Sequence, residues 1–442
     1  MQFGRHISKG FWALADKGML ALYGVAFMLI VIRTLPPEEY GTLVLFQTVF
    51  LLITSLATSF AIQPMVKYVA EGSDARASGS TTLVITALLI AVCTGIVLLL
   101  SHPIATLLAK AYSPQLAELL LWLPVLFAAN IYKMVISGLL QARLHVKQLF
   151  AVDSVYFVTS LALILLAYLS GSLTHAEIVI YIMIISSLLS SGTALLLTRA
   201  VTIPAWRWDA SEAGKIFDYG KYTLGGTIGN IVQTQFDTLL ISTFSGVGGA
   251  AVYYAAKNFT RIFDMFTQSM QMLIVPASSI LQARRDKEGL IALVEKSICF
   301  GLLAIIPVVA IFMLFPGTLV SLIYGNKYPE SIPVLRILAL TGLVIPWGVV
   351  IASVLLGTGR TAVGFLMSIV SLVFSLVIYY LSGSIAGLTG IVWGVVCMYA
   401  ILGLLGTLIL HHYVPFRMMS IIRRTKDAIQ FARTWKHLFK PI

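Results

Sequence analysis

Residues 255–266 read AAKNFTRIFDMF, with the apolar runs VGGAAVYY before them and MLIVPASSI after them. Lys257, Arg261 and Asp264 therefore stand inside a stretch that is long and apolar enough to lie in hydrocarbon. A charge at the centre of a membrane helix costs about 2.5–3.5 kcal/mol when it faces lipid. The stretch predicts a membrane helix whose charged side faces a wet or paired interior.

The composition of the whole chain is typical of an integral membrane protein. Of its 442 residues, 59% are hydrophobic and 11% are charged, and its mean hydropathy is +0.94. A soluble protein of this length would be much more polar. Cys93, Cys299 and Cys397 lie in apolar stretches at spacings that suit neither disulfides nor a metal site, so we interpret them as packing residues.

Twelve apolar segments of membrane-spanning length follow one another, and the predicted fold class is all-α integral membrane with about twelve transmembrane helices. Asp16 and Lys17 break the apolar core of the first segment, so it is not a cleavable signal peptide. The segments are 11–33, 40–65, 80–101, 116–141, 146–169, 174–199, 217–242, 249–278, 290–315, 331–357, 360–382 and 386–410.

The spans fall into two groups of six. We predict an N-terminal six-helix lobe at 1–202, an interfacial linker at 203–216, a C-terminal six-helix lobe at 217–410 and a basic amphipathic cytoplasmic tail at 411–442. Two such lobes with a pathway between them are a common transporter plan. Most of the 30 Lys and Arg lie in the N-terminal arm, in alternate connections and in the tail, which predicts cytoplasmic termini. This pattern explains the net charge of +12 without a nucleic-acid partner.

Polar residues gather on one face of span 249–278. At 100° per residue they lie within about 80° of arc, and they are Lys257, Arg261, Asp264, Gln268 and Gln271. We call this set the polar stripe. The opposite side is predicted to face lipid or a neighbouring helix, and it carries Phe259, Phe263, Phe266 and Met270.

Other spans carry similar groups. One face of span 217–242 carries a second polar set, made of Tyr222, Gly226, Asn230, Gln233 and Asp237. The glycines of that span, Gly225, Gly226 and Gly229, permit close approach of another helix or bending of the span. Asp16, beside Lys17, and Asp153 are explained equally well as salt-bridge partners and as functional residues.

Deep bases without an excess of deep acids favour an anionic ligand, because fixed positive charge lowers the cost of bringing a negative headgroup into the membrane. Arginine suits phosphate, which its planar fork binds through two hydrogen bonds. No P-loop and no HExxH motif is present, and the large outer loop expected of a polymerase is missing from the sequence. We therefore predict a protein that is not an enzyme and that has no metal and no resident cofactor.

Two stretches resemble a known family. They are RTLPPEEYGTL at 33–43 and FDTLLISTFSGVGGAAVYYAAK at 236–257. Both are similar to the corresponding segments of Wzx-type flippases, which serve O-antigen and other polysaccharide synthesis within the multidrug/oligosaccharidyl-lipid/polysaccharide exporter superfamily. The resemblance implies a V-shaped pair of six-helix lobes in the bacterial inner membrane. It also implies that a polyprenyl-pyrophosphate-linked oligosaccharide moves from the cytoplasmic to the outer leaflet by alternating access.

The depth and charge of the polar residues on the predicted spans make them candidates for roles in such transport. Candidates for binding the pyrophosphate and sugar are Lys17, Lys133, Asn230, Gln233, Lys257, Arg261 and Gln268. Candidates for coupling to H⁺ or Na⁺ are Asp16, Asp237 and Asp264, although Asp264 is slightly better explained as an ion-pair partner of Arg261. The expected partners are the lipid-linked oligosaccharide, membrane lipids, a polysaccharide polymerase and glycosyltransferases, and we expect a monomer.

Two alternatives stay open. An ion-coupled multidrug antiporter of the same superfamily would handle organic cations with acidic cavity residues, whereas the deep stripe here is cationic. A membrane glycosyl polymerase would need an acidic or arginine-rich outer loop, which the sequence does not contain.

Overall fold

The computed structural model describes residues 2–101, 103, 114–143, 145–198, 204–416 and 418–424, and these residues form helices joined by short connections. The first helices are α1 (Gln2–Thr34), α2 (Pro37–Ala57), a π-helical turn (Thr58–Ile62), α3 (Gln63–Ala70), α4 (Ala75–Leu99), α5 (Pro114–Leu120), α6 (Leu123–Ala142), α7 (Val146–Leu169) and α8 (Ala176–Thr198).

Two very long helices in the remaining part are broken internally. Helix α9 (Ala210–Ala283) breaks at Gly246, whose φ of 73° an L-residue rarely adopts, and we call its parts α9a (210–245) and α9b (247–283). The others are α10 (Lys287–Leu314), α11 (Pro316–Tyr324), α12 (Ser331–Ala339), α13 (Thr341–Gly357), α14 (Thr361–Tyr413, broken at Ala386 and Gly387) and α15 (Met418–Arg423).

These helices make the chain a multi-pass, all-α membrane protein. Among the described residues, nine helices are long and apolar enough to cross a membrane. Two of them, Gln235–Ala283 and Val363–Tyr413, contain the breaks of α9 and α14. Each of the twelve predicted spans overlaps a helical segment, so the fold class is confirmed and a count of twelve is consistent with the helices.

Contacts divide the chain into two compact units, Met1–Ala251 and Val252–Ile442. In the first unit, α7 packs against both α1 and α8, and α6 packs against α8. In the second unit, α13 packs against α10 and α14. The division into lobes at 203–216 stays a prediction.

The predicted linker is attached to the start of α4. The backbone N–H groups of Ala205 and Asp209 donate to the hydroxyls of Ser80 and Thr81, at 3.0 and 3.1 Å. Trp206 and Trp208 are exposed, as expected of residues at the headgroup level. One turn into α9, Lys215 Nζ donates to Glu212 Oε1 at 2.6 Å, and this carboxylate raises the pKa of the lysine.

The start of the predicted tail is part of the core of the second unit. Val414, Phe416 and Ile421 are buried in one apolar cluster with residues of α10 and α13. Arg424 donates to the buried carboxylate of Glu295 in α10, with Nη2 and Nε at 3.1 and 3.2 Å from Oε2. The predicted amphipathic helix beyond this point, at 425–442, lies outside the described residues.

The cysteines follow the prediction in part. All three are free thiols, Cys299 is buried and Cys93 is half-buried. Cys397 is exposed, so its assignment as a packing residue was wrong. Its place on an apolar helix reflects the exposed apolar surface that a membrane protein presents to lipid.

We predict that Arg424→Ala destabilises the protein by about 2–3 kcal/mol, because the buried carboxylate of Glu295 loses its guanidinium. The measurement is the apparent Tm of the purified protein in detergent. Arg284→Ala is the matched control, since Arg284 is exposed. Arg424→Leu combined with Glu295→Leu should restore most of the loss, and equal Tm values for Arg424→Ala and the control would contradict the prediction.

Candidate functional site

The polar stripe lies on the open side of α9b. Arg261, Asp264 and Gln268 are exposed and Lys257 is half-buried. The opposite side packs inside the second unit, where the Phe263 ring lies 5.8 Å from that of Phe312 in α10. The 3.6-residue period thus correctly predicted that the side carrying Phe263 packs against a neighbouring helix, and the wet interior expected beside the stripe stays a prediction.

Aromatic packing fixes the rotation of α9b. The ring of Phe259 lies 5.6 Å from that of Tyr324 in α11, and the Tyr324 hydroxyl donates to the carbonyl of Ala255 at 2.9 Å. A Cβ at Gly342 would crowd the Phe263 ring, at 2.7 Å from its Cζ, so glycine leaves the room that this ring occupies. These contacts hold the stripe away from the core of its own unit.

Tyrosines one and two turns back contact the two cations of the stripe. Arg261 Nη2 donates to the Tyr254 hydroxyl at 3.0 Å, and its guanidinium carbon lies 5.9 Å from the ring centre. Lys257 Nζ lies 5.5 Å from the ring centre of Tyr253. A phenol keeps the arginine oriented without neutralising it, so other N–H donors of its fork can bind an anion.

Asp264 stands close to both cations and interacts with them electrostatically. Among the described side chains, however, the hydrogen bond of Arg261 is to Tyr254 and not to Asp264. The expected ion pair between Arg261 and Asp264 is therefore replaced by a bond to a tyrosine seven residues earlier, which lies on the same helix face.

A second charged cluster lies inside the first unit. Lys133 Nζ in α6 is 3.2 Å from Asp153 Oδ1 in α7, and both side chains are mostly buried. The same ammonium lies 4.1 Å from the ring centre of Tyr156. Asp16, buried on α1, is close enough to interact with Lys133 electrostatically. The expectation that Asp153 is a salt-bridge partner is confirmed.

Aromatic contacts join α1 to α7 beside this cluster. The Tyr23 hydroxyl lies 2.9 Å from that of Ser160, and the Tyr23 ring lies 4.9 Å from that of Phe157. The position of Lys17 is described only as part of α1, and its side chain lies outside the described ones. Lys133 is paired directly with a carboxylate of its own unit, whereas the hydrogen bond of Arg261 is to a phenol.

The remaining candidates lie on α9a. Asp237 is buried, and its Oδ1 accepts hydrogen bonds from the backbone N–H and the hydroxyl of Thr238, at 2.6 and 3.1 Å. The side chains of Asn230 and Gln233 lie outside the described ones. Among the residues that the structure describes, no group of three His, Cys, Asp or Glu could hold a metal ion.

Sequence reasoning missed three features. Tyr253 and Tyr254 support the cations, and their spacing from Lys257 and Arg261 on one face was an available signal. Close approach on α9a occurs at Gly220, where a Cβ would overlap the Phe60 carbonyl. A Cβ at Gly225 would meet nothing within 4 Å, so no other helix approaches closely there, and the alternative of bending stays a prediction. The surroundings of Gly226 and Gly229 lie outside the described ones.

Residues 30–333 match the model of a family described as polysaccharide biosynthesis protein. The lipopolysaccharide biosynthesis protein WzxC of Escherichia coli is 22% identical over 395 residues, which is 88% of this chain and 77% of the relative. Two other curated relatives are matched over less than half of their own lengths. They are an uncharacterised membrane protein of Methanocaldococcus jannaschii, at 42%, and a probable low-salt glycan biosynthesis flippase of Haloferax volcanii, at 35%.

Solved transporters share the fold. An inward-facing multidrug resistance MATE transporter of the MOP superfamily superposes with a TM-score of 0.74 at 18% identity, over 89% of this chain and 94% of that one. The lipid II flippase MurJ in an inward closed conformation superposes with a TM-score of 0.71 at 12% identity, over 99% and 94%. At these identities the likeness concerns the fold alone.

The buried pair generates a prediction about Lys133. Asp153→Ala should destabilise the protein by about 3 kcal/mol, because it leaves an ammonium buried without its carboxylate, and the double variant Lys133→Leu/Asp153→Leu should recover most of this. Apparent Tm in detergent measures both. A double variant as unstable as Asp153→Ala would contradict the pairing. Loss of function in a stable double variant would support a substrate role for Lys133, and full function would oppose it.

Proposed function

The chain belongs to the polysaccharide biosynthesis protein family, and from that premise we propose that it is a flippase for a lipid-linked oligosaccharide. The substrate is an oligosaccharide joined through pyrophosphate to a polyprenyl lipid, and it moves from the cytoplasmic to the outer leaflet. WzxC, the relative matched along most of this chain, is named for lipopolysaccharide biosynthesis, which supports a saccharide-linked substrate.

The observation that carries the proposal is the pair Lys257 and Arg261 on the exposed side of α9b. Two cations inside an apolar stretch are tolerated where they face the bundle interior or a water-filled cavity and are paired with protein groups or a ligand. The stripe continues with Gln268, whose amide can donate to and accept from sugar hydroxyls. A cationic segment followed by an amide suits a headgroup in which pyrophosphate is bonded directly to sugar.

Arg261 is the better phosphate ligand of the two. Its planar fork can form two parallel hydrogen bonds to one phosphate, whereas Lys257 acts as a point charge. The hydrogen bond that Arg261 donates to Tyr254 pre-orients the fork, so less conformational entropy is lost on binding. Asn230 and Gln233, on α9a, are assigned to the sugar in the same proposal, and Lys17 and Lys133 to the anionic headgroup.

Transport is proposed to proceed by alternating access in the bacterial cytoplasmic membrane, with both termini in the cytoplasm, coupled to H⁺ or Na⁺. Differential affinity of the ion for the two states is what coupling requires. Asp237 is the preferred site, because it is a buried carboxylate near the end of α9a. Glycosyltransferases that make the substrate and a polymerase that consumes it are the expected partners.

We predict that Arg261→Ala and Lys257→Ala each reduce export at least about ten-fold, since each removes a charge-assisted contact worth about 1.5–3 kcal/mol. Arg261→Lys should recover only part of the activity, because the fork geometry is lost. The measurement is surface polysaccharide after complementation of a defined flippase deletion, normalised to the amount of protein in the membrane.

Arg76→Ala and Lys221→Ala are the matched controls. Both side chains are exposed. Lys221 Nζ lies 2.9 Å from Oδ1 of Asp218, three residues earlier on the same helix. A well-expressed Lys257→Ala/Arg261→Ala double variant with the export of these controls would remove the proposal. Drug resistance on expression, without dependence on a polyprenyl lipid, would favour the multidrug antiporter instead.

A separate prediction concerns coupling. Asp237→Asn keeps the shape of the side chain but removes its charge, so it should abolish the response of transport to an imposed ion gradient while binding of the lipid-linked substrate is preserved. Gradient-driven flipping in proteoliposomes measures the first quantity, and binding to the detergent-solubilised protein measures the second. A full response of the variant to the gradient would assign Asp237 a structural role.

A further inference from the structure

The segment formed by α2 and the π-helical turn touches helix α9 at two points, near the opposite ends of that segment. At the first, the Cα of Gly41 lies against the backbone of Val247, and a Cβ there would overlap the carbonyl oxygen of Val247. Val247 directly follows the break at Gly246. Because the obstacle is backbone, no side-chain rotation could make room for a methyl group.

The second contact lies at the π-helical turn that follows α2. A Cβ at Gly220 would overlap the carbonyl oxygen of Phe60. Beside it, the Thr223 hydroxyl donates to the carbonyl of Ser59 at 2.7 Å. A π-turn shifts the helical hydrogen-bonding pattern, and here a hydroxyl from another helix bonds one of its carbonyls.

The region between these two contacts is rich in polar residues. Between them α2 carries Thr48, which is 3% exposed and lies two turns from Gly41 on the same face. Anchors hold both ends in place. Near the Gly41 contact, Glu39 Oε2 accepts a hydrogen bond from the backbone N–H of Ala176 at 2.8 Å. Near the Gly220 contact, the centres of the Phe60 and Phe217 rings lie 5.1 Å apart.

We propose that Gly41 and Gly220 are the two closure points between helix α9 and the segment formed by α2 and the π-helical turn, and that transport opens one of them at a time. The proposal rests on the proposed function and orientation, in which Gly41 marks the outer end and Gly220 the cytoplasmic end. Glycine is needed at both positions because closure brings a Cα against a carbonyl oxygen. Both residues act as positioning residues and do not contact the substrate.

The proposal has a directional consequence. An added methyl group at Gly41 hinders closure at the outer end only, and one at Gly220 hinders closure at the cytoplasmic end only. The two substitutions should therefore change access to Thr48 from opposite sides. A general loss of packing would change access from both sides alike.

The test is labelling of Thr48→Cys in the full chain by a membrane-impermeant maleimide, in right-side-out and in inside-out vesicles. Labelling of the chain without this substitution gives the contribution of the three natural cysteines. Gly41→Ala should raise labelling from the outside about ten-fold, and Gly220→Ala should raise it to a similar extent from the inside. Thr223→Val, which removes one hydrogen bond, should raise it from the inside about five-fold.

Matched controls isolate the close approach. Gly248→Ala and Gly225→Ala make the same chemical change where a Cβ would meet nothing within 4 Å. Thr54→Val removes a hydroxyl that donates within its own helix, to the Phe50 carbonyl at 2.8 Å. All three should label like the parent protein.

Equal labelling from both sides, or no difference from the controls, would overturn the proposal. Should Gly41→Ala fail to reach the membrane, Thr223→Val and Gly220→Ala still decide it at the cytoplasmic end. The labelling needs no substrate, so its outcome is independent of export. Increased labelling from the outside in Gly41→Ala and from the inside in Gly220→Ala would support the closure points whatever the export result. If export were also unaffected in the Lys257 and Arg261 variants, the proposed substrate would be rejected while the closure points stood.

Discussion

A charged side chain within the membrane is not hydrated by bulk water, so the protein groups that contact it determine its role. In the first unit, the ammonium of Lys133 is balanced by the carboxylate of Asp153 and lies over the Tyr156 ring. In the second unit, the guanidinium of Arg261 bonds to a phenol, which orients it without cancelling its charge. The first arrangement pairs two opposite charges inside the fold, and the second orients a guanidinium on the exposed side of α9b.

The same constraint shapes the backbone, because every peptide group within the membrane needs a partner. Where the helices are interrupted, glycines adopt the backbone conformation that the break requires, or a hydroxyl-bearing residue bonds to a carbonyl. Gly246 and Gly387 adopt positive φ at the breaks of α9 and α14. At the π-helical turn, Thr223 bonds to the carbonyl of Ser59. The break of α9 and the π-helical turn are thus also places where separate helices meet.

Hydropathy and helical period predicted most of the fold. Each predicted span overlaps a helical segment because a bilayer requires about 20 apolar residues in each, and the packed side of α9b was predicted because 3.6 residues make a turn. The support of Arg261 by Tyr254 was missed although both lie on one face. The contacts of Gly41 and Gly220 could not be read locally, since each depends on a carbonyl more than a hundred residues away. Gly225 shows that glycine content alone does not locate a close approach.

The π-helical turn at Thr58–Ile62 also determines which way α3 faces. One extra residue in a turn rotates everything after it by about 100°. In that orientation Met65 and Val69 are buried against Leu83 and Val135. A single-codon deletion within the turn would leave the hydropathy profile almost unchanged, yet it would rotate this apolar side out of its cluster. For relatives of this protein, gap placement in an alignment therefore carries structural meaning here that residue similarity does not.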